Sequence, residues 1–143
     1  MNKFIVKEGE SYSKPIAFLK EQKEKVFFLE GDLGAGKTSF TIEFLKSLCG
    51  DEVFKSLGVM SPTYSIVNEY LLKEDLILHS DFYRVDEESF DWEEFLERLE
   101  ESSFAFIEWG TKIPQLSENI STYSTIKIKI LDNKDREVSI IKG

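Results

Sequence analysis

The octapeptide Gly31-Asp32-Leu33-Gly34-Ala35-Gly36-Lys37-Thr38 matches G-x-x-x-x-G-K-[ST] at every fixed position, a pattern whose chemistry is the cradling of nucleotide phosphates. Its glycines let the backbone curl tightly so that successive N–H groups turn inward, and a helix starting behind them adds the positive end of its dipole. Lys37 has the reach and charge to contact β- and γ-phosphates. The Thr38 hydroxyl is suited to ligating a magnesium ion held against them. With Ser39 directly behind, residues 31–39 form the expected nucleotide-binding run.

Two acids stand where such a loop would use them. Asp81 follows the apolar run Leu76-Ile77-Leu78, and Glu108 follows Ser103 to Ile107. Each reads as the end of a buried strand, at the carboxyl edge of a sheet where open α/β folds bind ligands. Asp81 is the candidate for the carboxylate that holds magnesium; Glu108 either ligates magnesium or positions the attacking water. His79, the only histidine, reads as an orienting or packed residue rather than a proton-transfer catalyst. Tyr83 and Arg84 follow Asp81. Arg84 is one of three arginines, with Arg98 and Arg136, and is the best internal candidate for an arginine finger. Trp109 beside Glu108 is either a lid or partner contact at the site or a core aromatic. Ser61-Pro62-Thr63-Tyr64 holds the backbone extended before a hydroxyl residue. It either aims Thr63 at the γ-phosphate or its metal, or forms a turn before a strand.

The elements that must position these residues follow from periodicity. Val26-Phe27-Phe28-Leu29 reads as a strand buried on both faces. Thr41, Phe44, Leu45 and Leu48 then give helical spacing that stops at Gly50. The motif therefore sits at a strand-to-helix junction. Lys3 to Lys7 reads as a strand, Ser11 or Ser13 to about Gln22 as a helix with Pro15 in its first turn, and Asp51 to Gly58 as a polar connection. Tyr64 to Leu72 and Leu76 to Ser80 predict a hairpin across Lys73-Glu74-Asp75. Asp91 begins a helix, with Glu94 in capping-box position and a Trp92, Phe95, Leu96, Leu99 stripe. Thr125 to Leu131 and Glu137 to Ile141 predict a closing hairpin. The expectation is an α/β fold: one phosphate-loop domain over 1–143, with a mixed, mostly parallel sheet, helices on both faces and a C-terminal β-hairpin.

Composition narrows the partners. A net charge of −9 argues against unassisted binding of a nucleic-acid backbone, which needs clustered Lys and Arg. Asp86 to Glu101 carries nine acids against the single base Arg98, either a solvated helix face or an acidic docking surface for a basic partner. The N-terminus has no apolar leader and no run approaches a membrane span, so the expected location is cytoplasmic, with no membrane partner. The lone Cys49 reads as a buried thiol.

Taken jointly, Gly31 to Thr38, Ser-Pro-Thr-Tyr at 61–64, His-x-Asp-x-Tyr-Arg at 79–84 and Glu-Trp at 108–109 closely resemble the TsaE (YjeE) family of small ATPases. The resemblance implies an ATPase subunit, with ATP and Mg2+ as cofactors. It would act with TsaB and TsaD homologues in forming threonylcarbamoyladenosine at position 37 of tRNAs, and would meet tRNA only through them. It further implies that Lys37 contacts phosphates, Thr38 and Glu108 ligate magnesium, Thr63 is the switch residue, Asp81 is the acid of the second phosphate-loop motif and Trp109 lies beside the site. The chain departs from the family pattern in having Gly110-Thr111-Lys112 after Glu-Trp. It also lacks the usual threonine near the first helix, leaving Ser11 or Ser13 as substitutes. A small-molecule kinase fits poorly with three scattered arginines. A GTP switch fails because Asn133-Lys134-Asp135-Arg136 has Arg where its guanine contact requires Asp.

Overall fold

A computed structural model describes residues 1–56 and 66–143. Among these residues seven strands form one sheet: β1 (Asn2–Val6), β2 (Val26–Glu30), β3 (Val67–Leu72), β4 (Asp75–Asp81), β5 (Phe104–Glu108), β6 (Ser124–Ile130) and β7 (Arg136–Lys142). Among the same residues four helices accompany them: α1 (Ser13–Lys20), α2 (Lys37–Ser56), α3 (Trp92–Glu101) and α4 (Pro114–Ser117). The strand order β1-β7-β6-β2-β5-β4-β3 puts β2 at the centre. There Phe27, Phe28 and Leu29 are at most 1% exposed, as a strand covered on both faces requires.

The sheet is less parallel than the sequence suggested. β2 pairs in parallel with β5 and β6, and β4 with β5, while β1–β7, β3–β4 and β6–β7 are antiparallel. For two of these the reason is local, since the β3–β4 and β6–β7 hairpins close on short turns and must run antiparallel, while β1 adds antiparallel to β7 at the sheet edge. Only the middle carries the crossover-connected strands.

Strand alternation divides the core. Phe27, Leu29 and Phe106 pack with Ile16 and Leu19 of α1 and Phe40, Phe44 and Leu45 of α2. Phe28, Ala105 and Ile107 pack with Phe95 and Leu99 of α3 and Leu116 of α4. Helices thus cover both faces. The Asp91 side chain caps α3 by accepting from the Glu94 N–H at 3.0 Å, as its capping-box spacing requires. The nine acids from Asp86 to Glu101 are all exposed, and Arg98 is engaged by Glu69 and Glu101.

Two local details differ from expectation. Gly50 does interrupt the helix, at φ +81°, but residues 51–56 are helical beyond it rather than a polar connection. A glycine stop ends one hydrogen-bonded run, and a second helical run begins directly behind it. Cys49 is half-buried rather than buried, its thiol 3.2 Å from the Leu45 carbonyl. Among the described residues no helix is long and apolar enough to cross a membrane.

Candidate functional site

The loop from Gly31 to Gly36 joins the carboxyl end of β2 to the start of α2. It is tight because its neighbours press on it. A Cβ on Gly31 would lie 2.6 Å from the Ile128 carbonyl oxygen of β6, so only glycine lets that strand approach. At Gly36, φ is +112° and an added Cβ would overlap the Tyr12 hydroxyl. The loop turns on itself through Ala35 N–H to Asp32 O at 3.0 Å, and α2 begins with Phe40 N–H to Gly36 O at 2.9 Å.

Lys37 is 5% exposed. Its Nζ donates to the loop carbonyls of Gly31 at 2.5 Å and Asp32 at 3.3 Å and lies 4.3 Å from the Trp109 ring centroid. A buried ammonium needs such partners to offset its lost hydration. Thr38, one residue on, donates its hydroxyl to Glu108 Oε2 at 3.1 Å, tying the helix start to the end of β5. Asp32, Leu33, Gly34 and Ser39 are exposed, whereas Ala35 is buried.

The two acids meet because β4 and β5 run parallel and in step. Asp81 and Glu108 are register partners at the strand ends. His79, two residues before Asp81 and therefore on the same face of β4, sets Nε2 2.5 Å from Glu108 Oε2. Both His79 and Glu108 are almost fully buried. Partial burial raises the Asp81 pKa above the ordinary aspartate value. The Tyr83 N–H, donated to Oδ1 at 3.0 Å, opposes this, Glu108 adds to it, and His79 and Lys37 oppose it. All these groups crowd one corner of the sheet edge.

Other expected residues scatter around that corner. Trp109 is half-buried at φ +59°, left-handed for a non-glycine residue, and its ring lies 4.9 Å from that of Tyr83. Arg84 is exposed, with its guanidinium 6.0 Å from the Tyr83 ring. Arg136 approaches from the far side and donates Nε–H to the Ala35 carbonyl at 2.8 Å. Ser11 is exposed on a groove between α1 and α2, shared with Ser13, Glu43 and Ser47 and lined by no loop residue. Thr63 and the rest of Ser-Pro-Thr-Tyr lie outside the described residues.

One neighbour of the loop is legible in the sequence only as part of the face, with Ile16 and Leu19, that packs the first helix. Tyr12 is 3% exposed, and its buried hydroxyl has no hydrogen-bond partner among the described residues. Burial raises its pKa, opposed by Arg136 and assisted by Glu43. Nothing local marks its place beside the loop, because its contact with Gly36 exists only once α1 has folded against α2.

Fold and site define an α/β protein whose glycine-rich loop leaves the central strand of its sheet to meet two strand-end acids. Residues 7–139 match the family model described as "Threonylcarbamoyl adenosine biosynthesis protein TsaE". The tRNA threonylcarbamoyladenosine biosynthesis protein TsaE of Rickettsia typhi is 34% identical over 117 residues, covering 82% of this chain and 77% of that protein. The protein of the same description from Aquifex aeolicus is 33% identical over 118 residues, with the same two coverages, 82% and 77%. The crystal structure of Bacillus subtilis YdiB superposes with a TM-score of 0.61 at 24% identity, covering 99% of this chain and 86% of that one, a likeness of fold. The chain belongs to the TsaE family, and its role lies in tRNA threonylcarbamoyladenosine biosynthesis.

Proposed function

We propose that the protein is the ATP-hydrolysing subunit of this tRNA modification, working with TsaB and TsaD homologues. The observation that carries the reading is the Thr38 hydroxyl held 3.1 Å from Glu108, beside a buried lysine at the mouth of the glycine loop. That arrangement has the parts of a phosphate site and a cation site side by side. The donor set suits magnesium, which takes hard oxygen ligands and is held by one or two carboxylates together with phosphate. Thr38 and Glu108 would hold the ion, with Asp81 beside them, and it would neutralise charge on the β- and γ-phosphates.

The chain's own residues account for the rest. The loop N–H groups and the start of α2 bind phosphate oxygens, and Lys37 transfers its ammonium from the Gly31 and Asp32 carbonyls to the β- and γ-phosphates. Glu108 or Asp81 orients the water that attacks the γ-phosphorus in line with the departing ADP oxygen. Developing negative charge is met by Lys37 and the loop N–H groups, which are positioned before reaction begins. With no guanidinium in contact with the acids or Lys37 among the described residues, hydrolysis by the isolated chain should be slow, on the order of 10⁻⁴ to 10⁻² per second. Thr63 would serve as the residue that senses the γ-phosphate.

The test is steady-state ATP hydrolysis by the purified chain, alone and with its TsaB and TsaD homologues, paired with a pull-down of those two with and without ATP. Slow turnover that rises on adding the partners, with nucleotide-dependent retention, is expected. Rapid turnover by the chain alone, or indifference to both partners, overturns the reading.

A further inference from the structure

Glu108 ends β5 almost fully buried, where an ionised carboxylate without partners carries a large desolvation cost. Its Oε2 receives two groups from different elements: the Thr38 hydroxyl from α2 at 3.1 Å and His79 Nε2 from β4 at 2.5 Å. At that separation one of the two atoms must carry hydrogen, and with Glu108 in the ionised form that a cation ligand requires, that atom is the ring nitrogen. The Thr38 contact alone would leave a long side chain free to turn about its axis. The imidazole arrives on a short, two-torsion side chain from a strand locked in register with β5, Ile77 against Phe104 through Asp81 against Glu108.

We infer that His79 is the positioning residue of this site: its Nε2–H fixes the Glu108 carboxylate against Thr38, so that hydroxyl and carboxylate face a single divalent cation together. The role is geometric. His79 touches neither nucleotide nor cation, and its donated hydrogen bond selects the rotamer of the residue that does. Partners of this kind are worth about 10- to 100-fold in metal affinity. The inference rests on the proposed nucleotide and cation site and goes beyond it in assigning the lone histidine.

The experiment measures Mn2+ binding by electron paramagnetic resonance, on the full chain with saturating adenylyl-imidodiphosphate, for the wild type and for His79→Leu, His79→Gln and His79→Asn. Leucine keeps bulk without a donor, glutamine presents an N–H near the position of Nε2, and asparagine is too short to reach it. Expected are about 10-fold or greater weakening in His79→Leu and His79→Asn and recovery toward wild type in His79→Gln. Nucleotide affinity measured in EDTA should be unchanged. A folded His79→Leu that binds Mn2+ like the wild type overturns the inference. If that variant does not fold, equal Mn2+ affinity in His79→Asn and His79→Gln overturns it instead. No Mn2+ binding by the wild type would overturn the proposed function and this inference with it, whereas wild-type binding with indifferent variants overturns this inference alone.

Discussion

Lys37 Nζ lies 4.3 Å from the centroid of the Trp109 ring, so the loop's single ammonium rests on an indole face while two loop carbonyls accept its protons. A phosphate group outcompetes neutral acceptors for an ammonium. Binding ATP should therefore draw Lys37 off the ring and change the Trp109 emission. The change should persist in Trp92→Phe, which leaves Trp109 as the only tryptophan, and vanish in Lys37→Ala. Equal responses with and without Lys37 would reject this coupling.

In the proposed reaction Lys37 meets the charge that develops on the transferred phosphoryl group. Replacing it by Ala should lower ATP hydrolysis roughly 10²-fold or more, the scale of losing a preorganised stabilising donor. Thermal stability should change little or rise, since a buried ammonium costs hydration that carbonyls and a π face only partly restore. Turnover within a factor of a few of wild type would remove Lys37 from its assigned role.

How far these residues could be read from the sequence follows from how local their signals are. The loop, its strand and its helix are contiguous, so spacing and periodicity specify them together, and Asp91 with Glu94 marks a helix start that the structure reproduces. Asp81 and Glu108 were each recognisable as a strand end, yet their side-by-side register is a property of the β4–β5 pairing. Tyr12 behind Gly36 and Arg136 on the Ala35 carbonyl join positions far apart in the chain. No spacing rule reaches across such separations. Of the antiparallel pairings, the two hairpins were legible from their turns, whereas the β1–β7 pairing joins strands far apart in the chain and no local signal announces it.

Asp81 supplies a pH test. Its native pKa is raised, first by burial and then by Glu108, against the opposing influence of the Tyr83 N–H, His79 and Lys37. Between the ordinary aspartate value and the raised native one, the folded chain keeps a proton that the unfolded chain has lost. Because stability rises with pH only where the unfolded state binds more protons, this group makes stability fall as pH increases through that window. It remains lower above it. Asp81→Asn removes the titration while keeping an acceptor for the Tyr83 N–H. In thermal melts without nucleotide or divalent cation, the variant should melt higher than wild type at neutral pH, and the gap should close below the ordinary aspartate range. ATP hydrolysis should fall in the same variant. A gap that widens on acidification would contradict the assigned direction.

Gly36 and Tyr12 form a steric pair that a double-mutant cycle can isolate. A Cβ on Gly36 would overlap the Tyr12 hydroxyl, lie 3.2 Å from Arg136 Nε and sit on a residue with φ of +112°. Gly36→Ala should therefore destabilise through two separable causes: backbone strain of about 1–3 kcal/mol and overpacking of similar size, about 1–3 kcal/mol. Tyr12→Phe removes a buried hydroxyl that has no partner among the described residues, and leaving such a group unsatisfied costs about 1–3 kcal/mol. Alone it should thus raise the melting temperature. Combined with Gly36→Ala it should recover the overpacking but not the strain, since only the latter belongs to the backbone. The coupling energy, read from melts of all four proteins, should fall within about 0.5–3 kcal/mol. Strict additivity would mean that the loop relaxes away from Tyr12, and the close packing of α1 against the loop would then not be what requires glycine at position 36.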